Sequence, residues 1–421
     1  MFDVASLRSQ FPALQLTHHG VAPIYLDGPA GTQVPQRVID AMTNYLVHCN
    51  ANHGGAFRTS IDSDAILDDA HQAVADFLNA PSADEIIFGA NMTTLTFQLS
   101  RSIAKRLQPG DEVIVTRLDH DANIMPWMLA ARDAGASVRW IELNPHHATH
   151  DLESFRKHLS AKTRLVAVGL ASNVLGTVND VATIVREAKA AGALTFVDAV
   201  HFAPHGPIDV KAIGCDFLAC SAYKFFGPHV GILWGHRALL EDLPAYKVRP
   251  APNVLPGRWM TGTQNHEGIA GTAAAVEYLA SIGEHSPEFH TQFPTMQGRR
   301  RDAHAGMAAI QQYERFLGAR LLQGLADRPR FRVWGIRDPH RGGERVPTIS
   351  ITDQSISPQQ LAKRLAAREI YVWNGNNYAL EISECLGVEP HGGFVRIGLV
   401  HTNTAEEVDR LLRTLDEVVA S

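Results

Sequence analysis

The chain has 421 residues, with 38 Lys and Arg against 44 Asp and Glu and a formal charge of −6. That balance argues against general binding to nucleic acid or to an anionic membrane surface, and no apolar run is long enough to span a bilayer. Four cysteines (Cys49, Cys215, Cys220 and Cys385) in so long a chain imply neither a disulfide framework nor a CxxC zinc site. The first residues show no basic region followed by an apolar one, so a cytoplasmic, reducing compartment is expected. Histidine pairs such as His146-His147 sit in polar, loop-like sequence and read as solvated, and no metal site is expected.

In chain order, apolar runs at 84–88, 112–116, 165–170, 194–197, 217–221 and 230–234 have the length and composition of strands. Helical patterns fall at 94–107, closed by Pro109-Gly110, and at 181–191. Continuous apolar strands with helices between them imply an α/β fold, a mostly parallel sheet of the seven-stranded type covered on both faces. From about Ser286 the texture changes. A long Arg- and Gln-rich helix is expected over 291–326, then strands at 331–334, 348–352, 370–373 and 393–398, with helices at 357–368 and 404–419. Thr402-Asn403-Thr404 before Glu406-Glu407 is a helix start signal. The expected organisation is an N-terminal arm (1–22) associated with the small domain, a large domain (23–285) and a smaller α+β domain (286–421).

Chemistry concentrates at two strand ends. Val197-Asp198-Ala199-Val200-His201 closes one apolar run, and Cys220-Ser221-Ala222-Tyr223-Lys224-Phe225-Phe226-Gly227-Pro228 follows the next. Ligands bind at the carboxyl ends of strands in open α/β sheets. A lysine amine condenses with an aldehyde, and an acid beside a pyridine nitrogen keeps that ring protonated and electron-withdrawing. The pairing therefore points to pyridoxal 5′-phosphate (PLP), with Lys224 as its Schiff-base lysine and Asp198 on the ring nitrogen.

The ordered motifs resemble the class V aminotransferase group of fold-type I PLP enzymes, most closely the cysteine desulfurases. They run from Tyr25-Leu26-Asp27-Gly28-Pro29-Ala30-Gly31-Thr32 through Asn52-His53-Gly54-Gly55, Phe88-Gly89-Ala90-Asn91-Met92-Thr93-Thr94, Leu118 to Trp127 and Ser172 to Thr177. The resemblance implies that Thr93 and Thr94 hold the PLP phosphate at a helix N-terminus. It implies that His120 stacks on the ring, that His201 reaches the phenolic oxygen, and that Ser221 and Tyr223 donate to the phosphate. Gly262-Thr263 resemble a loop that reaches the partner's cofactor, which implies a homodimer with shared active sites. Arg396 and Asn173 are implied to meet the carboxylate of an amino-acid substrate, with His53, Asn376 and Tyr378 lining its pocket.

One departure matters. The loop Val372 to Ala379 places Tyr378 where desulfurases carry a catalytic cysteine. A phenol cannot carry a persulfide, and Cys385 lies seven residues later. The expected reaction is thus Cβ–S cleavage by elimination. Epimerisation of the isopenicillin N epimerase type or amino transfer on the same scaffold are alternatives, and a non-catalytic binding protein is the alternative of another class.

Overall fold

The structure, a computed structural model, describes residues 2–144 and 148–420. The His146-His147 pair lies outside the described residues. Seven strands form the main sheet, in the spatial order Ile86–Gly89, Gly231–Gly235, Phe217–Ser221, Leu194–Asp198, Thr163–Gly169, Glu112–Thr116 and Ser137–Ile141. Gly231–Gly235 runs antiparallel to both its neighbours, and the other pairings are parallel. The edge strand Ser137–Ile141 has an alternating, half-exposed pattern, which is why it lacks the apolar run that marks the central strands.

Neighbouring residues of the central strands point into different layers. Val166, Val197 and Leu218 face the layer that holds helices Arg58–Phe77 and His266–Glu284. Leu165, Phe196 and Phe217 face helices Met92–Ala104 and Met125–Ala134 on the other side. Side chains alternate along a strand, so a run that is apolar at every position serves two cores at once.

A four-stranded antiparallel sheet forms in the C-terminal part, in the order Phe331–Trp334, Thr348–Asp353, Phe394–Gly398, Trp373–Gly375. The single strand expected over 370–373 is two. Ile370–Tyr371 pairs in parallel with Ile24–Tyr25, while Trp373–Gly375 joins the four-stranded sheet. Ile24 and Leu26 are buried in the same apolar cluster as the C-terminal strands, so residues 24–26, read from sequence as the start of the large domain, pack with the small one. The N-terminal arm touches that unit too: Arg8 pairs with Glu407 at 2.9 Å and Phe2 stacks on Tyr313. The last helix, Ala405–Ala420, starts on Thr404, whose hydroxyl accepts the Glu407 N–H while Glu407 accepts the Thr404 N–H.

The long helix begins at Gly298, later than its composition suggested, because the Pro287–Gln292 turn precedes it. It serves both units. Ala303, Met307 and Ile310 lie in the core of the large unit, and Leu317, Leu321 and Leu325 in that of the small one. Where it crosses helix His266–Glu284, Gly283 and Gly306 let the two backbones meet: a Cβ on Gly306 would sit 2.1 Å from the Leu279 carbonyl oxygen.

Candidate active site

Gly89, Thr116, Gly169, Asp198 and Ser221 each end a strand of the main sheet. The segments that leave these ends line a cavity of about 1010 Å³, roofed by the Trp373–Tyr378 loop and by Arg396 from the small unit. Thr93, Thr94, His120, Asn173, Asp198, His201, Ser221, Tyr223, Lys224, Asn376, Tyr378 and Arg396 all border it.

The floor is built at the ends of the main-sheet strands. Asn91 caps helix Met92–Ala104 by accepting from the Thr94 N–H and hydroxyl at 2.9 and 3.0 Å, which sets Thr93 and Thr94 in the exposed first turn. Ser221 Oγ accepts the Met92 N–H at 3.0 Å, so its own hydroxyl proton remains to donate. Asp198 is buried and accepts from the Val200 N–H at 2.8 Å. Burial raises its pKa to about 6, against the opposing pull of that N–H and of Lys224. Lys224 donates to the Pro29 carbonyl, and its ammonium lies 4.9 Å from the centre of the Tyr223 ring. Burial, then the Arg396 charge, lowers its pKa to about 7, with Asp198 opposing.

His120 accepts the Ala122 N–H on Nδ1 at 3.0 Å. Burial and the charges of Lys224 and Arg396 lower its pKa to about 4, so the ring is neutral near pH 7 and carries its proton on Nε2. His201 is buried, its pKa lowered well below the ordinary range by burial first, and its Nε2 has no hydrogen-bond partner. The Tyr223 ring stacks on His229 at 5.0 Å, and burial raises its phenol pKa.

The roof is held by longer-range contacts. Arg396 Nη1 donates to the Asn173 carbonyl at 3.0 Å, and its buried Nε has no partner. Asn173 Nδ2 donates to the Asn377 carbonyl at 2.8 Å, so it props the loop in this arrangement. Asn376, expected to face substrate, spends its amide inside the loop: Nδ2 donates to Glu389 and Oδ1 accepts the Tyr378 N–H.

The structure does not bring His53, Gly262 or Thr263 to the cavity of their own chain. The 52–60 segment is tied to its own helix through Gly54 N–H to Asp64 and Gly55 N–H to Ser60, and His53 stands exposed 6.1 Å from the His266 ring. Gly262 and Thr263 are likewise exposed. Cys385 does not border the cavity either; it sits on helix Leu380–Cys385, exposed near Arg117 and Glu381. Among the described residues, no cluster of three or more potential metal ligands occurs, and no helix is long and apolar enough to cross a membrane.

Sequence reading missed Asp119. It accepts from Asn123 Nδ2 at 2.8 Å, and it occupies space that only a glycine at position 169 leaves, since a Cβ there would lie 2.7 Å from its Oδ1. Burial and the nearby Asp198 charge raise its pKa to about 7. The signal was present as a carboxylate directly before His120. Met125 and Trp373 were missed as well, and both border the cavity from its rim.

The aminotransferase class-V sequence profile matches residues 24–293 and 302–411. The chain belongs to the aminotransferase class-V family. It is 34% identical over 432 aligned positions to the aminotransferase-like protein FGM3 of Gibberella zeae, covering 99% of each chain. It is 31% identical to a probable cysteine desulfurase of Streptomyces coelicolor, over 99% of this chain and 97% of that one. Among solved structures it resembles the apo cysteine desulfurase of Thermococcus onnurineus, with TM-score 0.84, 25% identity and 99% and 98% of the two chains covered. The Escherichia coli cysteine desulfurase CsdA gives TM-score 0.83 at 27% identity, with 100% and 99% covered. This class-V aminotransferase homologue is thus a fold-type I enzyme of a PLP-dependent family. The cavity fits that cofactor: a half-buried lysine with a lowered pKa, a buried carboxylate on the next strand end, and an orphaned imidazole nitrogen of His201 face one space.

Proposed function

We propose that this chain is a PLP-dependent enzyme that cleaves the Cβ–S bond of a cysteine-derived amino acid by elimination. The observation that carries the reading is a contrast within one cavity: a half-buried Lys224 and a buried Asp198 share its floor, while the roof presents Tyr378 in place of a thiol.

PLP bound here would supply an electron sink for the bond-breaking at Cα. Lys224 would hold it covalently, Asp198 would face its ring nitrogen, His201 its phenolic oxygen, and Thr93, Thr94 and Ser221, with Tyr223, its phosphate. Arg396 would clamp the substrate carboxylate through the in-plane N–H groups of its guanidinium, of which the buried Nε has no other partner. Lys224, released from the cofactor, would take the Cα proton, since an amine with a pKa near 7 is free to accept one. The sulfur would leave as a thiol after receiving a proton. Water would then complete the products, pyruvate and ammonia. Without a thiolate on the roof, sulfur is not handed to the protein. Transfer to protein would instead release alanine.

A second reading, amino transfer or epimerisation at Cα, is favoured by the similarity to the aminotransferase-like protein of Gibberella zeae. We place Gly262-Thr263 and His53 at the cavity of a second copy. Support comes from exposed apolar residues on neighbouring elements: Ile39, Leu46 and Val47 on one helix, and Phe57, Ile61 and Val254 beside the two loops. The deciding experiment incubates PLP-loaded protein with L-cysteine and S-substituted cysteines and assays pyruvate, alanine and protein-bound persulfide. Pyruvate with free thiol supports elimination. Alanine with a persulfide on Cys385 overturns it, and keto acid or Cα hydrogen exchange without sulfur release selects the second reading.

A further inference from the structure

We propose that Tyr378 is a positioning residue for His120, backing the imidazole that the cofactor ring would stack upon. The proposal rests on the PLP reading only for what lies on the other side of His120; the clamp itself belongs to the protein alone.

Two contacts grip one dipeptide. The Tyr378 ring lies 5.6 Å from the His120 ring with 16° between their planes, a stacked pair. The Tyr378 carbonyl accepts the Asp121 N–H at 2.7 Å, fixing the peptide that follows His120. On its other side His120 is tied through Nδ1 to the Ala122 N–H at 3.0 Å. Ring plane, tautomer and main chain are thereby all constrained, and the remaining ring nitrogen, Nε2, keeps its proton.

The loop adopts an unfavourable backbone to make these contacts. Asn377 and Tyr378 both have left-handed φ, 54° and 58°, in succession. For tyrosine this is a costly conformation that persists only where surroundings over-determine it. Those surroundings are the Asn173 amide on the Asn377 carbonyl and the Asn376 side chain on the Tyr378 N–H. Tyr378 is 76% exposed, so packing into a core does not explain its place. Its ring touches the cavity wall at His120, and the wall gains a rigid aromatic platform.

This role needs the ring and not the hydroxyl, which separates it from proton donation. In the apoprotein, the His120 ring-proton NMR resonances should carry a ring-current shift that Tyr378→Phe preserves and Tyr378→Ala removes. In PLP titrations, Tyr378→Ala should weaken binding by about 3- to 10-fold, the range of an aromatic pair, and Tyr378→Phe should not. In a His120→Ala background the Tyr378→Ala penalty should vanish. Unchanged His120 resonances in Tyr378→Ala overturn the proposal, as does an undiminished penalty when His120 is absent. Failure of the wild-type protein to bind PLP would instead overturn the functional reading, and the apoprotein resonances would still decide the clamp.

Discussion

The floor and the roof of the cavity are held by different means. Asp198, Ser221 and Lys224 sit at or just past the ends of two adjoining strands of the main sheet, and their partners are the Val200 N–H, the Met92 N–H and the Pro29 carbonyl. The roof loop, Trp373 to Tyr378, is exposed at both ends, strained at Asn377 and Tyr378, and fastened by side chains more than 200 positions away in sequence. The groups proposed to hold the cofactor sit where the sheet itself dictates position. Whatever distinguishes this chain sits where position depends on a handful of replaceable contacts.

Removing the floor's amine tests the contrast most severely. Lys224→Ala should lose about 10⁴-fold or more in turnover, since the proposed proton acceptor and covalent anchor vanish together. Borohydride reduction of the PLP-loaded wild type should leave its label on Lys224, and a label elsewhere breaks the assignment.

The next effect is in pH. An ordinary lysine is one part in several thousand free amine at pH 7, whereas a group with pKa about 7 is half free. The depressed pKa means that the protonated form is lost as pH rises through about 7, so imine formation between apoprotein and PLP should rise between pH 6 and 8 and level off above. A rate still climbing toward pH 10 would mean that Lys224 is solvated, and the floor no more sheltered than the roof.

Asp198→Asn should cost about 10²–10³-fold in turnover. It retains an acceptor for the Val200 N–H, so the loss reports the carboxylate charge. Melting temperature near wild type with this loss would place the effect in chemistry; a collapsed fold would not.

Much of the floor was legible beforehand for a plain reason. An apolar run that stops at a polar residue marks both a strand and its end, and so Asp198 and Lys224 could be placed without knowing any long-range contact. Asp119 escaped notice because its meaning depends on Gly169 and Asn123, one of them fifty residues on. Ile370 to Trp373 looked like one strand, yet its halves pair with strands from opposite ends of the chain, which local pattern cannot reveal. Asn376 carries suitable chemistry for a ligand, but Glu389 and the Tyr378 backbone already occupy it.

The smallest effect concerns the sulfur that the roof lacks. Cys385→Ser should leave turnover within about twofold, as for a surface substitution away from the chemistry. A larger loss in steady-state assays would show that the loop moves far enough to deliver this thiol, and would return the roof to the family's pattern.

How far that roof can travel is governed by the helix Gly298–Ala326, about 43 Å long at 1.5 Å per residue. It works as a beam with a fulcrum. At Gly283 and Gly306 its backbone bears directly on another helix; beyond that point Met307 and Ile310 still pack in the large unit, and the far arm then carries Leu317, Leu321 and Leu325 into the small one. No flexible hinge interrupts it. A swing of the small unit must therefore bend or tilt the beam, and a tilt at the fulcrum is magnified toward the far end. The cavity would open by rocking through small angles, with the Arg396 guanidinium and the Tyr378 loop advancing and retreating together as parts of one lever.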